Sequence, residues 1–149
     1  MTFKPFSVSE LLPLDKHASQ LGITYVDSGK NYAVIEITLD DRHLNFMGRC
    51  HGGVFFSLAD TAFGLASNMG GNLSLAIDAH IAFIKGAGFG DVLRAHARCV
   101  AASRKTAVYQ TDVYRNEEVV ATFTGTVILT GKELSGHLPG YVTVKNQAP

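Results

Sequence analysis

The segment from residue 52 to residue 68, GGVFFSLADTAFGLASN, restricts the possible folds of this chain more than any other. Its apolar residues fall on every side of a helix, and a helix that is apolar all round belongs in a protein interior. Two strand-like runs precede it and four follow it. One long helix among so many strands predicts an α+β fold in which an antiparallel sheet wraps around the helix.

The strand-like runs are rich in β-branched and aromatic residues and end at turn residues. They cover residues 23–28, 31–39, 74–84, 91–102, 106–115 and 118–130. Gly29-Lys30 predicts a hairpin between the first two runs, and we expect the last four to form a meander. A short first helix is expected over residues 14–21, where Gly22 ends it.

Length and composition fit one domain. The chain has 149 residues, of which 46% are hydrophobic and 17% are charged, so it has enough apolar material for a single core. We expect one domain over residues 1–149 with its core at about 20–131. The short helix comes before this core, and a loosely held C-terminal tail comes after it.

The charge balance argues against several kinds of partner. Lys plus Arg and Asp plus Glu both total 13, so the formal net charge is zero. Binding to nucleic acid or to an anionic membrane depends on clustered cations, and neither partner is expected. No run approaches the roughly 18 apolar residues of a membrane span, and the N-terminus lacks a signal-peptide core. Only Cys50 and Cys99 are present, so we expect free thiols and a cytoplasmic protein.

Asp60 is the only charged residue between Gly52 and Asn68. A carboxylate inside a buried helix is costly unless it is hydrogen-bonded, paired or functional. Desolvation would raise its pKa, as catalytic carboxylates often require. This feature alone fits a catalytic residue and fits equally a structural carboxylate that is held by Ser57, Thr61 or a backbone amide.

His51, Gly52 and Gly53 open the same helix. Amides at a helix start have no partner within the helix, and two glycines leave them uncovered, so they suit a developing oxyanion. A tight entry turn is the plainer explanation of the glycine pair. Asn45 could bind a water or a substrate oxygen, although capping a turn is its more ordinary role. His51 could orient the glycine amides or fix the entry loop.

Eight positions separate Gly52 from Asp60, which places them roughly 12 Å apart along a helix axis. An acyl carbon must lie about 3 Å from its attacker while its oxygen meets the amide donors. One helix therefore cannot serve both ends of a carbonyl, but two antiparallel copies can. If both groups are catalytic, the site is shared between the subunits of a homodimer.

The stretch NFMGRCHGG, residues 45–53, runs into FSLADTA and closely resembles the signature of the phenylacetic acid degradation (PaaI-type) family of hotdog-fold acyl-CoA thioesterases. The family pattern is Asn, two residues, Gly, two residues, His-Gly-Gly, then a helix containing Leu-Ala-Asp. The matching positions are Asn45, Gly48, His51, Gly52, Gly53, Leu58, Ala59 and Asp60. Residues 80–100 and 103–129 are similar too, so the resemblance covers about residues 20–130.

The resemblance implies a hotdog fold and hydrolysis of a small aryl-acetyl or medium-chain acyl-CoA to free acid and coenzyme A. Asp60 would act as general base or nucleophile. The oxyanion amide would come from Gly52 or Gly53, with Gly53 preferred, while Asn45 and His51 position the thioester and water. The resemblance also implies a homodimer that pairs into a homotetramer. No cofactor is expected, because coenzyme A belongs to the substrate.

Independently of the resemblance, an apolar acyl pocket could be lined by Phe55, Phe56, Phe63 and Leu65. The resemblance itself suggests coenzyme A contacts, namely Arg104, Lys105, Thr106 and Lys85. This chain departs from the family at two of these places. Ser103 replaces a usual Gly, and Lys85-Gly86 stands where Arg-Pro is common. A solvated turn charge is the plain alternative for each basic residue, and core packing is the alternative for Phe63.

Other functions remain open with less support. Cys50 and His51 are adjacent and lack the two-residue spacing of a metal site, so we expect no metal. A hotdog-fold dehydratase would need an Asp–His pair, which His51 and Asp60 do not form within one helix. A non-catalytic acyl-CoA binding module would keep the fold and the basic turn without needing Asp60. That residue therefore discriminates between enzyme and binding module.

Overall fold

The computed structural model describes residues 2–140. Its helices are α1 (Val8–Leu11), α2 (Lys16–Leu21) and α3 (Gly52–Asn68). Its strands are β1 (Thr24–Gly29), β2 (Tyr32–Thr38), β3 (Asn72–Phe83), β4 (Val92–Ala102), β5 (Thr106–Arg115) and β6 (Glu118–Glu133). Short 3-10 turns occupy Leu12–Leu14, Asp41–His43 and Leu134–His137.

The predicted long helix has the bounds that the sequence indicated, and every strand begins and ends within three residues of its predicted range. The first hairpin is confirmed, but its turn is Lys30-Asn31, one residue later than predicted. Asn31 has φ 61°, a left-handed conformation that Asn tolerates better than most residues. The predicted short helix is α2, and Asp15 caps it by accepting a hydrogen bond from the Ala18 N–H.

The six strands form one antiparallel sheet in the order β1-β2-β4-β5-β6-β3. With α3 packed on it, this sheet confirms the predicted α+β arrangement. The expected four-strand meander is wrong, because only β4, β5 and β6 follow one another in the sheet. β3 pairs instead with the 16-residue β6 at the far edge, from Asn72↔Glu133 to Phe83↔Ala121. Residues 84–91 then carry the chain to β4, which pairs with β2.

Phe63 anchors α3 on the sheet. Its side chain is 1% exposed, and its ring centroid lies 5.5 Å from that of Phe123 and 5.8 Å from that of Tyr109. A Cβ built on Gly125 would lie 2.7 Å from the Phe63 ring. Glycine at this position in β6 therefore lets the helix approach the sheet closely.

One face of α3 is not covered by its own chain. Phe56 is 36% exposed, and Asp60 on the same face is exposed too. The expectation that the helix is buried all round, with Asp60 inside, is thus wrong for a single chain. The sheet covers only one side of the helix, while α1, α2 and the turn Leu134–His137 flank the open face.

The predicted loose tail begins as ordered structure. Leu134 is buried, and its N–H donates to the Gly71 carbonyl at 2.8 Å. The rest of that tail, residues 141–149, lies outside the described residues. Among residues 2–140, no helix is long and apolar enough to cross a membrane.

The edge strand β3 exposes large apolar side chains. Leu75, Ile77 and Phe83 are each more than half exposed, although they lie in or at the end of a twelve-residue strand. Because β3 is the last strand of the sheet, one side of its backbone faces no other strand of the described chain. Such an edge is suited to pairing with another strand.

Candidate active site

Three of the predicted catalytic residues, Asp60, Asn45 and Gly52, line two separate depressions of one chain. Asp60 lines a depression of about 560 Å³. Gly52 lines another of about 380 Å³, together with Asn45 and Lys85. The two depressions are separate, as the spacing along the helix predicted. One chain therefore does not bring the carboxylate and the glycine amides together.

Three segments build the Asp60 depression. α3 supplies Phe56, Ser57 and Asp60, the N-terminal region supplies side chains from Leu11 to His17, and residues 134–139 close the far side. Partial desolvation raises the pKa of the Asp60 carboxyl, the Asp15 carboxylate raises it further, and the His17 imidazole lowers it. The carboxylate is exposed to water and yet lies against apolar side chains.

Asp60 makes no side-chain hydrogen bond and no ion pair with any residue from 2 to 140. The structural alternative, in which Ser57, Thr61 or a backbone amide holds the carboxylate, is therefore not what the molecule adopts. Ser57 instead bonds to His17, with 2.9 Å between Ser57 Oγ and His17 Nε2. A carboxylate with raised pKa and free oxygens can accept a proton from water.

His51 is the N-cap of α3, and its Nδ1 accepts a hydrogen bond from the Gly53 N–H at 2.8 Å. The preferred oxyanion donor, Gly53, is therefore already used. The Gly52 N–H has no acceptor within the described part of the chain, so the hydrogen bonding favours Gly52 over Gly53 as the candidate oxyanion donor. Because Nδ1 accepts, a neutral His51 carries its proton on Nε2.

Asn45 holds the turn before α3. Its Oδ1 accepts from the Met47 N–H at 2.9 Å and from the Arg49 N–H at 3.1 Å, and the flanking residues Leu44 and Cys50 form a β-bridge. The ordinary turn-capping role is thus present. The Nδ2 group has no hydrogen bond within residues 2–140, so it remains able to donate to a substrate or a water.

Arg49 is a candidate functional residue that the sequence analysis missed. It lines the Gly52 depression beside Lys85, whose Nζ lies 3.2 Å from Glu118 Oε2. A Cβ built on Gly88 would lie 2.9 Å from Arg49 Nη1, so the glycine leaves room for the guanidinium. Arg49 has no ion-pair partner in the described chain. The sequence did contain a feature that could have predicted this residue, namely a cation three positions before the first glycine of the pair.

Arg104 and Lys105 are exposed in the turn between β4 and β5. Ser103 Oγ organises this turn, since it accepts from the Lys105 N–H at 3.3 Å and lies 3.0 Å from Thr106 Oγ1. The Thr106 hydroxyl is therefore engaged within the turn. The two basic side chains have no ion pair within residues 2–140.

The predicted coenzyme A contacts do not meet within one chain. Thr106 pairs with Ile128, and Ile128 pairs with Leu75 near the start of β3. Lys85 follows Phe83 at the other end of β3. At about 3.3 Å per residue these two ends of the sheet lie more than roughly 20 Å apart.

Phe63 lines neither depression, because its ring is enclosed between α3 and the sheet, a position that fits the core-packing alternative. Within residues 2–140, no group of three His, Cys, Asp or Glu side chains is arranged to hold a metal ion.

The model of the thioesterase superfamily matches residues 47–122. The acyl-coenzyme A thioesterase PaaI of Escherichia coli is 34% identical over 123 residues, which are 82% of this chain and 88% of that relative. The chain belongs to the thioesterase superfamily. The predicted PaaI-type family is thus confirmed, and the protein is a hydrolase.

Solved structures support the same assignment. The PaaI protein from the phenylacetic acid degradation operon of E. coli matches with a TM-score of 0.81 at 32% identity, covering 85% of this chain and 93% of that one. A mutant of phenylacetic acid degradation protein PaaI from Thermus thermophilus matches with 0.74 at 35% identity, covering 76% and 98%. A Streptococcus mutans protein bound to acetyl CoA matches with 0.70 at 31% identity, covering 74% and 90%. The hotdog fold of this thioesterase superfamily member is confirmed.

Proposed function

We propose that this thioesterase superfamily member hydrolyses small aryl-acetyl or medium-chain acyl-CoA to the free acid and coenzyme A. The name of the E. coli relative and the acetyl CoA of the S. mutans structure support coenzyme A as the carrier. The observation that carries the proposal is a pair of unpartnered groups on one helix, the Asp60 carboxylate and the Gly52 amide. They are the groups that thioester hydrolysis needs, and they lie too far apart to act within one chain.

The proposed site combines Asp60 of one copy with Gly52 of a second copy. The Gly52 N–H donates to the thioester carbonyl oxygen, where negative charge develops as the carbon is attacked. In the general-base route, Asp60 takes a proton from the attacking water. The carbon–sulfur bond then breaks, and the same proton goes to the leaving thiolate. In the nucleophilic route, the Asp60 carboxylate attacks the carbonyl carbon, and the carbon–sulfur bond breaks to release the thiolate. Water then hydrolyses the resulting anhydride, which regenerates the Asp60 carboxylate and frees the acid, and a proton of that water goes to the thiolate.

A two-fold arrangement explains why both copies are needed. If β3 pairs antiparallel with β3 of the second copy, the end near Lys85 in one copy lies beside the end that carries Arg104 and Lys105 in the other. These cations and Arg49 would then collect at one site and meet the phosphates of coenzyme A. Two such dimers would form the tetramer that the family resemblance implies.

The test is release of free thiol from acetyl-, hexanoyl-, octanoyl- and phenylacetyl-CoA by purified protein. Asp60→Asn keeps the size of the side chain but removes its charge, and we expect its rate to fall by about 10²–10⁴-fold. The matched control is Asp41→Asn, an exposed carboxylate in the turn Asp41–His43, which should retain the wild-type rate. Full activity of Asp60→Asn would reject Asp60 as the catalytic group.

A non-catalytic acyl-CoA binding module is the competing function. It would bind the same esters in the same depressions, and neither the wild type nor any variant would release thiol. Single-turnover hydrolysis in ¹⁸O-water separates the two catalytic routes. Direct attack, followed by hydrolysis of the anhydride at the aspartyl carbonyl, leaves the label of the first turnover on Asp60, whereas the general-base route puts it in the product acid.

A further inference from the structure

We propose that the acyl end of the substrate packs on a wall of leucines contributed by the two ends of the chain, and that Leu14 and Leu138 decide which acyl groups are accepted. The leucine wall consists of Leu11, Leu14, Leu134 and Leu138. The proposal rests on the proposed thioester hydrolysis, because it places the acyl group beside Asp60.

The first support is the position of the leucine wall. All four leucines line the depression that contains Asp60. Its volume of about 560 Å³ falls in the range of roughly 300–1,000 Å³ that is usual for small-molecule sites. Leu14 is 44% exposed and Leu138 is half-buried, so these two present apolar surface to the depression. Leu11 and Leu134 are buried.

The second support is that the wall is fixed to the fold. Ser7 and Glu10 form a capping box on α1, and the Phe6 N–H donates to the Met69 carbonyl at 2.9 Å. On the opposite side, the Leu134 N–H donates to the Gly71 carbonyl. Both ends of the chain are thus tied to the residues that follow α3. A wall held in this way can discriminate by shape.

The third support is the difference in charge between the two depressions. The Asp60 depression contains two carboxylates, Asp15 and Asp60, and one imidazole, His17. The Gly52 depression contains two cations, Arg49 and Lys85. The polyanionic arm of coenzyme A is repelled by the first and attracted by the second. This orients the thioester so that its acyl group points toward the leucine wall.

The fourth support is the extent of the family match. The match to the superfamily model runs from residue 47 to residue 122, so all four leucines lie outside the matched segment. The catalytic groups Gly52 and Asp60 lie inside it. The proposed chemical groups therefore lie within the segment that the superfamily model matches, and the leucine wall lies outside that segment.

The experiment compares kcat/KM across the ester series for Leu14→Ala and Leu138→Ala. Removing a wall side chain should lower kcat/KM for hexanoyl-, octanoyl- and phenylacetyl-CoA by about 10-fold or more. The value for the shortest ester that the wild type hydrolyses should stay nearly unchanged, because a short acyl group does not reach the wall. Val92→Ala is the matched control, since Val92 is also 44% exposed but lines a different depression, with Arg94 and Tyr114.

The possible results separate the two proposals. Selective loss of the longer and aryl esters supports the leucine wall. If Leu14→Ala and Leu138→Ala release thiol with the acyl preference of the wild type, or lose all esters equally, the wall proposal is overturned while thioester hydrolysis stands. If the wild type releases no thiol from any ester, the proposed function itself fails. Leu14→Met, which keeps the apolar volume, should restore the wild-type preference.

Discussion

At the scale of single residues, three neighbours at the start of α3 differ in their hydrogen bonding. His51 accepts the hydrogen bond of Gly53, and Gly52 is left with the free amide. The sequence predicted an oxyanion donor at the glycine pair with Gly53 preferred, whereas the hydrogen bonding of the structure favours Gly52. The choice depends on the rotamer of the His51 side chain, which no residue pattern records.

Replacing Gly52 by proline removes the free amide without disturbing the helix. Proline suits the first helical position, and His51 already has φ −62° and ψ 136°, the extended conformation that precedes proline. We expect kcat for thiol release to fall by about 10²–10³-fold. Gly52→Ala keeps the N–H and places a Cβ 3.2 Å from the Phe83 ring, so it should keep most of the activity. Equal activities in the two variants would rule out this amide.

The pH dependence of hydrolysis should respond to Asp15. The proposed mechanism needs the ionised Asp60 carboxylate, and the Asp15 charge raises the pKa of Asp60. Asp15→Asn removes that charge while Asn still caps α2, so the acidic limb of the pH–rate profile should move to lower pH. His17→Gln should move it to higher pH, because the imidazole lowers the same pKa. Profiles that coincide with that of the wild type would contradict this coupling.

At the scale of elements, local sequence patterns predicted whether each segment forms a helix or a strand, but not which strands pair with each other. α3 and β5 have the predicted bounds because their periodicity and turn residues lie within the segments themselves. The pairing of β3 with β6 joins residues far apart in sequence, so a simple meander was expected instead. α1 was missed because a four-residue helix is too short to show a period.

The contact between α3 and β6 gives a test of stability. Gly125→Ala would bring a Cβ within 2.7 Å of the enclosed Phe63 ring, and overpacking of this kind costs about 1–3 kcal/mol in the free energy of unfolding. Thermal or denaturant unfolding would measure the loss. The exposed neighbour Thr124→Ala should change stability by less than about 0.5 kcal/mol.

A double substitution checks the cause of that loss. Phe63→Leu shortens the side chain that the new methyl group meets, so it should cost less in the Gly125→Ala background than in the wild type. Costs that simply add would show that Gly125 acts through the backbone of β6 rather than through Phe63.

At the scale of the whole molecule, the proposed mechanism requires each chain to supply two half-sites. The separation of Gly52 and Asp60 was predictable from their spacing alone, because the rise per residue of a helix is fixed. The open face of α3 was not predictable in the same way, since an apolar helix gives no sign of whether its own chain or a second copy covers it. The leucine wall was missed because its parts lie at opposite ends of the sequence.

Mixing two inactive variants tests the shared site. Co-expressed Asp60→Asn and Gly52→Pro chains form mixed dimers in which one of the two sites has both wild-type halves. Random pairing should therefore restore about a quarter of the wild-type rate. Each variant alone should stay inactive, and sedimentation should show a species larger than the 16.0 kDa monomer. Activity in the mixture no higher than in the parents would place both groups in one chain.

The open edge of β3 makes a newly made chain prone to pair with other polypeptides. Until another strand pairs with it, the twelve-residue strand β3 exposes the backbone N–H and C=O groups of its outer edge. It also exposes the apolar side chains of Leu75 and Ile77. Chaperones and unrelated polypeptides would compete for that strip during the interval between synthesis and assembly. If the chains pair through β3, as proposed, the strip is covered only when two chains meet, so the time for which it stays exposed depends on the concentration of the protein.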